Sequence, residues 1–175
     1  IAYLNGTDAN SRTNLSLLGE WIRSVVKEHG SDAEKELFTK NVLLENELQG
    51  EIPIKARDFK INCNDPRLVI VVRTNEEQGA ATLDILQSIY GESSDSTVIP
   101  MDESTSIIVL NVAEVGESEA DRDAYTDEIS SAILDSLNNE GITAYIGIGS
   151  FVPLFQQIAK SYRDAMLALR VGKIF

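Results

Sequence analysis

An unbroken aliphatic run, Leu68-Val69-Ile70-Val71-Val72, stands between Arg67 and Arg73. It is far shorter than the roughly 18 apolar residues that cross a bilayer, and nothing elsewhere in the chain approaches that length. A strand with one wet face alternates apolar and polar residues; this run does not, so it predicts a strand covered on both faces. The rest of the sequence must supply the cover. Thr74 starts a helix with Glu77 at capping-box spacing, and Leu83, Leu86, Ile89 and Tyr90 form its buried side until Gly91. Thr97 to Pro100 and Ser106 to Val112 are short strands joined by the polar turn Met101 to Thr105, which together read as a hairpin. A second helix follows Ser118, with Asp121 at the capping-box position, and buries Tyr125, Ile129, Ala132, Ile133 and Leu137 before Asn138 to Gly141 stop it. Ile142 to Ile148 is a further strand, and a terminal helix places Leu154, Ile158, Tyr162, Ala165 and Leu169 on one face.

The order is strand, helix, strand, strand, helix, strand, helix. Right-handed crossovers applied to its two halves give a ferredoxin-like antiparallel sheet with both crossover helices on one face. This is also the arrangement of nucleotide cyclase palm domains. The expected fold class is therefore α+β, a palm-like sheet with helices packed on it and a helical segment in front. At 175 residues and 43% hydrophobic, the chain can bury one real core. It divides into 1–14, a polar linker or the remnant of an upstream domain; 15–62, a helical connecting segment; and 63–175, the sheet domain. Starting at Ile1, with neither an initiator Met nor a signal peptide, it reads as an excised soluble fragment, and its single cysteine fits a reducing cytoplasm.

Within the connecting segment, Leu15, Leu18, Ile22, Val25 and His29 follow a 3-4-3-4 spacing on a helix ended by Gly30. A seam of about two heptads falls short of the three or four that define a coiled coil. Two readings stay open for it, a homodimer seam in a signalling relay or packing onto the chain's own domain, and a homodimer is the partner expectation. Trp21 lies off the seam. A next helix, capped by Ser31 or Asp32, shows Leu37, Asn41, Leu44 and Leu48 on one face, and a shorter piece runs from Pro53 to Phe59.

Acidic residues outnumber basic ones 28 to 15, giving a net charge of −13, and the basic residues form no stripe. Binding to a phosphate backbone requires clustered cations, so this chain by itself is not expected to bind nucleic acid. One cysteine, Cys63, and one histidine, His29, exclude a disulfide framework and a zinc site of the Cys or His type. No metal or cofactor is expected. His29 at a helix end reads as a partner of the helix dipole, and the acidic residues Glu117, Glu119, Asp121 and Asp123 as solvated charge at a helix start.

The segment Gly147-Ile148-Gly149-Ser150, followed by Ser161-Tyr162-Arg163-Asp164-Ala165 and Ala168-Leu169, resembles the end of the GGDEF-like domain of bacterial sugar diacid and purine-catabolism transcription regulators. Upstream, Phe38, Leu43, Leu44, Ala56, Arg57 and Ile61, then Pro66 to Ile70, are similar to the helical lead and first strand of that family. The resemblance covers about Phe38 to Phe175. It implies a regulatory and dimerising module between an upstream sensor and a downstream helix-turn-helix that binds DNA, so that the gene switch lies outside this chain. Read from the residues alone, the same segment is a packing element: Ala165 and Ala168 let a helix approach the sheet closely.

Diguanylate cyclases, which share the palm, hold metal ions with carboxylates against a triphosphate. In that family the first carboxylate ends the first strand; here Arg73, Thr74 and Asn75 stand there. The signature turn reads Pro100-Met101-Asp102-Glu103-Ser104, retaining an acidic pair but neither glycine. No catalytic residue is assigned. The expectation is a non-enzymatic module whose relay residues are Leu15, Leu18, Ile22 and Val25. An alternative is a degenerate cyclase fold that binds a nucleotide or metabolite beside Arg73, Thr74, Asp102 and Glu103; an active cyclase is a third reading, opposed by the missing carboxylate.

Overall fold

The computed structural model describes residues 17–18, 32–91 and 96–172. A four-stranded antiparallel sheet in the order β2-β3-β1-β4 forms its centre. The strands are β1 (Arg67–Arg73), β2 (Thr97–Pro100), β3 (Thr105–Asn111) and β4 (Tyr145–Ile148). The helices are α1 over 32–43, α2 (Ile52–Asp58), α3 (Gly79–Tyr90), α4 (Glu119–Asn139) and α5 (Ile158–Gly172). This is the expected α+β, ferredoxin-like arrangement. β1 is an inner strand, its Ile70 opposite Ile108 on one side and Ile148 on the other.

The aliphatic run of β1 is covered on both faces. Leu68, Ile70 and Val72 pack with Leu86 of α3 and with Ile133 and Leu137 of α4. Val69 and Val71 join the other cluster, with Phe38, Val42 and Leu43 of α1, Ile52 and Ala56 of α2, and Ile158, Ala165 and Leu169 of α5. Every residue from Leu68 to Val72 is 0% exposed, and side chains of this size contribute about 1.5–3 kcal/mol each when buried. Both crossover helices lie on one face, and the first and last described helices cover the other.

Three local expectations are corrected. On α1 the buried face is Phe38, Thr39, Val42 and Leu43, whereas Leu37 is 59% and Leu48 69% exposed. The Phe38 ring stacks with Phe59 at 5.3 Å and Phe155 at 6.1 Å, which turns the helix by one residue from the expected face, and the helix ends before Leu44. Thr74 does not cap α3. Its amide donates to the carbonyl of Ser104 at 2.9 Å, a 3₁₀ turn occupies Glu76–Gln78, and α3 begins at Gly79. Ile89 is exposed, and Thr82 takes its place in the buried side of α3. At α4, by contrast, the Ser118 hydroxyl oxygen accepts from the Asp121 amide at 3.1 Å, as the capping pattern predicts.

The seam positions Leu15, Ile22 and Val25, together with Trp21 and His29, lie outside the described residues, and Leu18 is exposed. Among the described residues, no helix is long and apolar enough to cross a membrane.

Candidate functional site

The Gly147-to-Leu169 motif is a joint between β4, β1 and α5. Both glycines face the helix: a Cβ on Gly147 would run into the Ala165 carbonyl and stand 2.8 Å from Leu169 Cβ, and one on Gly149 would run into the Ser161 backbone. The helix backbone therefore lies directly on the strand. Ser161 is fully buried, and its hydroxyl oxygen accepts the β1 amide of Val69 at 3.0 Å. The Ser150 hydroxyl donates to Asp164 Oδ2 at 2.5 Å, and Arg163 pairs with Glu45 at 2.9 Å just beyond α1. Ser161, Ser150, Asp164 and Arg163 each close a contact within the domain.

The end of β1 and the β2–β3 turn form the place where a cyclase would work. Arg73 ends β1 opposite Thr105 and Tyr145, and its Nε donates to Thr105 Oγ1 at 3.4 Å. It alternates with Val69 and Val71, so it lies on the α5 face, and its charge reaches Tyr162 there. Burial raises the Tyr162 hydroxyl above its ordinary range, while Arg73 opposes and Asp102 adds to that rise. Thr74 is buried and pinned to the turn through Ser104.

Asp102 and Glu103 are exposed on the turn. Asp102 accepts from the Ser104 amide at 2.8 Å and the Ser104 hydroxyl at 2.9 Å. Burial pushes its carboxyl up, but the hydrogen bonds from Ser104 and Thr105 outweigh that and hold it below the ordinary aspartate value. Its charge is thus occupied in shaping the turn.

The four expected ligand-binding residues do not converge. Asp102 and Glu103 line a cavity of about 270 Å³ against Glu76, Gly79 and Leu83, and Thr74 lines a separate concavity of about 540 Å³ with Asn75, Glu76, Glu77 and Ser104. Arg73 lines neither. Both are rich in carboxylates and contain no Lys or Arg, so a polyphosphate would meet like charge. Among the described residues, no group of three or more His, Cys, Asp or Glu side chains is placed to hold a metal ion.

Gly79 is the residue that sequence reasoning missed. A Cβ there would overlap the carbonyl of Glu103, so the first turn of α3 rests on the backbone of the hairpin turn. The available signal was a glycine inside a predicted helix, which marks a close approach.

Residues 45–171 match the family model of the GGDEF-like domain. No curated protein and no solved structure matched the chain. The matched span contains the whole sheet, the altered turn and the β4–α5 joint, and the chain belongs to the GGDEF-like domain family.

Proposed function

We propose that the chain is a non-catalytic regulatory module, relaying a signal and dimerising within a bacterial transcription regulator similar to the sugar diacid regulators. In such a regulator a helix-turn-helix downstream of this module binds DNA. The observation that carries the relay reading is the shared cluster of α1 and α5: Phe38 and Val42 pack in the same core as Phe155, Ala165 and Leu169. A displacement of the leading helix therefore acts on the closing helix through close-packed side chains. The dimer contact is assigned to the seam Leu15, Leu18, Ile22 and Val25.

Two features support the non-catalytic part. Arg73, Thr74 and Asn75 occupy the position where the cyclase family has its first carboxylate, and Gly79 rests on Glu103 where a nucleotide would need space. The carboxylate-lined cavities at the turn also disfavour the alternative, nucleotide binding at Thr74, Asp102 and Glu103. Sedimentation of the chain at high micromolar concentration, with Ile22→Asp for comparison, tests the dimer. A strictly monomeric wild type, with no effect of Ile22→Asp on the full-length regulator, would sink the relay reading. Incubation with GTP and magnesium should yield no cyclic dinucleotide, and product formation would overturn the non-catalytic reading.

A further inference from the structure

The end of the sheet opposite the hairpin turn carries a cavity of about 530 Å³, within the range of about 300–1,000 Å³ typical of small-molecule sites. Pro66, Val112, Phe151 and Val152 line it, with Glu117 and Arg122 contributing its charges. Val112 and Val152 are each 2% exposed, so its base belongs to the core. Phe151 is held edge-on by Tyr125, with ring centroids 6.4 Å apart at 65°.

The Arg122 guanidinium lies over that ring, 5.3 Å from its centroid. Among the described residues, no carboxylate lies within ion-pair distance of it, and no acceptor takes a hydrogen bond from its guanidinium N–H groups. Several described cations, Arg57, Arg73 and Arg170 among them, likewise have no ion pair; Arg122 is set apart by lying over the Phe151 ring at the edge of this cavity. Stacking orients the planar cation while leaving its N–H edge available, and that edge matches a carboxylate in bidentate fashion. A guanidinium already held by a ring loses less freedom when a ligand arrives.

We propose that this cavity binds a small monocarboxylate with an apolar ring, the carboxylate on Arg122 and the ring among Pro66, Val112, Phe151 and Val152. A single cation, the neighbouring Glu117 and the net charge of −13 select a monoanion over a dianion such as phosphate. The site is remote from the hairpin turn and does not depend on the relay reading.

Benzoate and indole-3-acetate, titrated to about 10 mM, are suitable probes for ¹H–¹⁵N NMR of the full chain, weak binding being measurable in that range. Saturable shifts should centre on Val112, Val115, Phe151 and Val152. Affinity should fall at least about tenfold in Arg122→Gln and for the neutral isostere benzamide, as expected when a charge-assisted pair is lost. Arg122 is exposed, so its substitution spares the fold, and Arg163→Gln, remote from the cavity, should bind like wild type. The proposal is overturned if neither carboxylate saturates, if the shifts centre elsewhere, if Arg122→Gln binds equally well, or if benzamide matches benzoate.

Discussion

Ser161→Ala removes one oxygen from the centre of the β4–α5 joint. The hydroxyl is 0% exposed and is the acceptor for the Val69 amide at 3.0 Å, on the central strand. Gly149 and Val69 already share one backbone bond, from the Gly149 amide to the Val69 carbonyl at 2.9 Å, so Ser161 satisfies the other half of that residue. Alanine leaves the Val69 amide buried without a partner, which costs about 1–3 kcal/mol. Against this, alanine is a better helix former than serine by about 0.5 kcal/mol. The net loss should be about 1–2 kcal/mol, lowering the melting temperature by roughly 2–8 °C for a chain of this size. Urea denaturation should show a lower midpoint at unchanged slope, and hydrogen exchange should show the Val69 amide losing protection beyond the global loss. Ser136→Ala is the control, because its exposed hydroxyl donates only to the Ala132 carbonyl of its own helix. If Ser161→Ala changes stability no more than Ser136→Ala, the joint is not held by that bond and the packing account of the motif is wrong.

Phe38→Ala should cost about 3–5 kcal/mol, while Leu37→Ala should stay within about 0.5 kcal/mol, as thermal or urea unfolding will show; equal losses would refute the assignment of the buried α1 face. Gly79→Ala should lose about 1–3 kcal/mol despite its better helix propensity, with amide shifts concentrated at 101–105, because the new Cβ displaces the Glu103 carbonyl. Asp102 should titrate by NMR below the ordinary aspartate value of about 3.9. Its folded pKa is depressed, so its contribution is present above the unfolded value and disappears as pH falls through the folded one. Asp102→Asn should remove that acid-side dependence, and an unchanged acid limb would count against the turn bonds.

The sheet was legible because its signals were local. The Leu68–Val72 run, the hairpin boundaries and the Ser118–Asp121 cap each depend on neighbours in sequence, and each appears in the structure close to where the residues predict it. The face of α1 was not legible, because Phe38 is chosen over Leu37 by rings more than a turn away in the chain, Phe59 and Phe155. The start of α3 was misplaced for a similar reason. Thr74 and Glu77 have the spacing of a cap, but the Thr74 amide is taken by Ser104 from the facing hairpin. A tertiary bond overrode a local pattern. The candidate site was read at the level of individual residues, and the placement of Arg73 on the α5 face, away from both cavities at the turn, followed only from the register that sets it with Val69 and Val71.

That register bears on how this palm can work. Catalysis would require the end of β1, the turn and the first turn of α3 to leave a charged ligand room between them. Here Gly79 rests on Glu103, Ser104 bonds back to Thr74, and Asp102 is engaged by Ser104, so the same three elements are joined by direct contacts. At the other end of β4, the glycines and Ser161 likewise bring helix and strand together. Close packing at both places makes the sheet a stiff plate with α1, α2 and α5 on one side and α3 and α4 on the other. On the proposed relay reading, motion imposed on α1 would pass to α5 through Phe38 and Phe155 and through Glu45 and Arg163, rather than being absorbed in an open cleft. A relay needs that stiffness, and a nucleotide cleft between α3 and the turn would remove part of it.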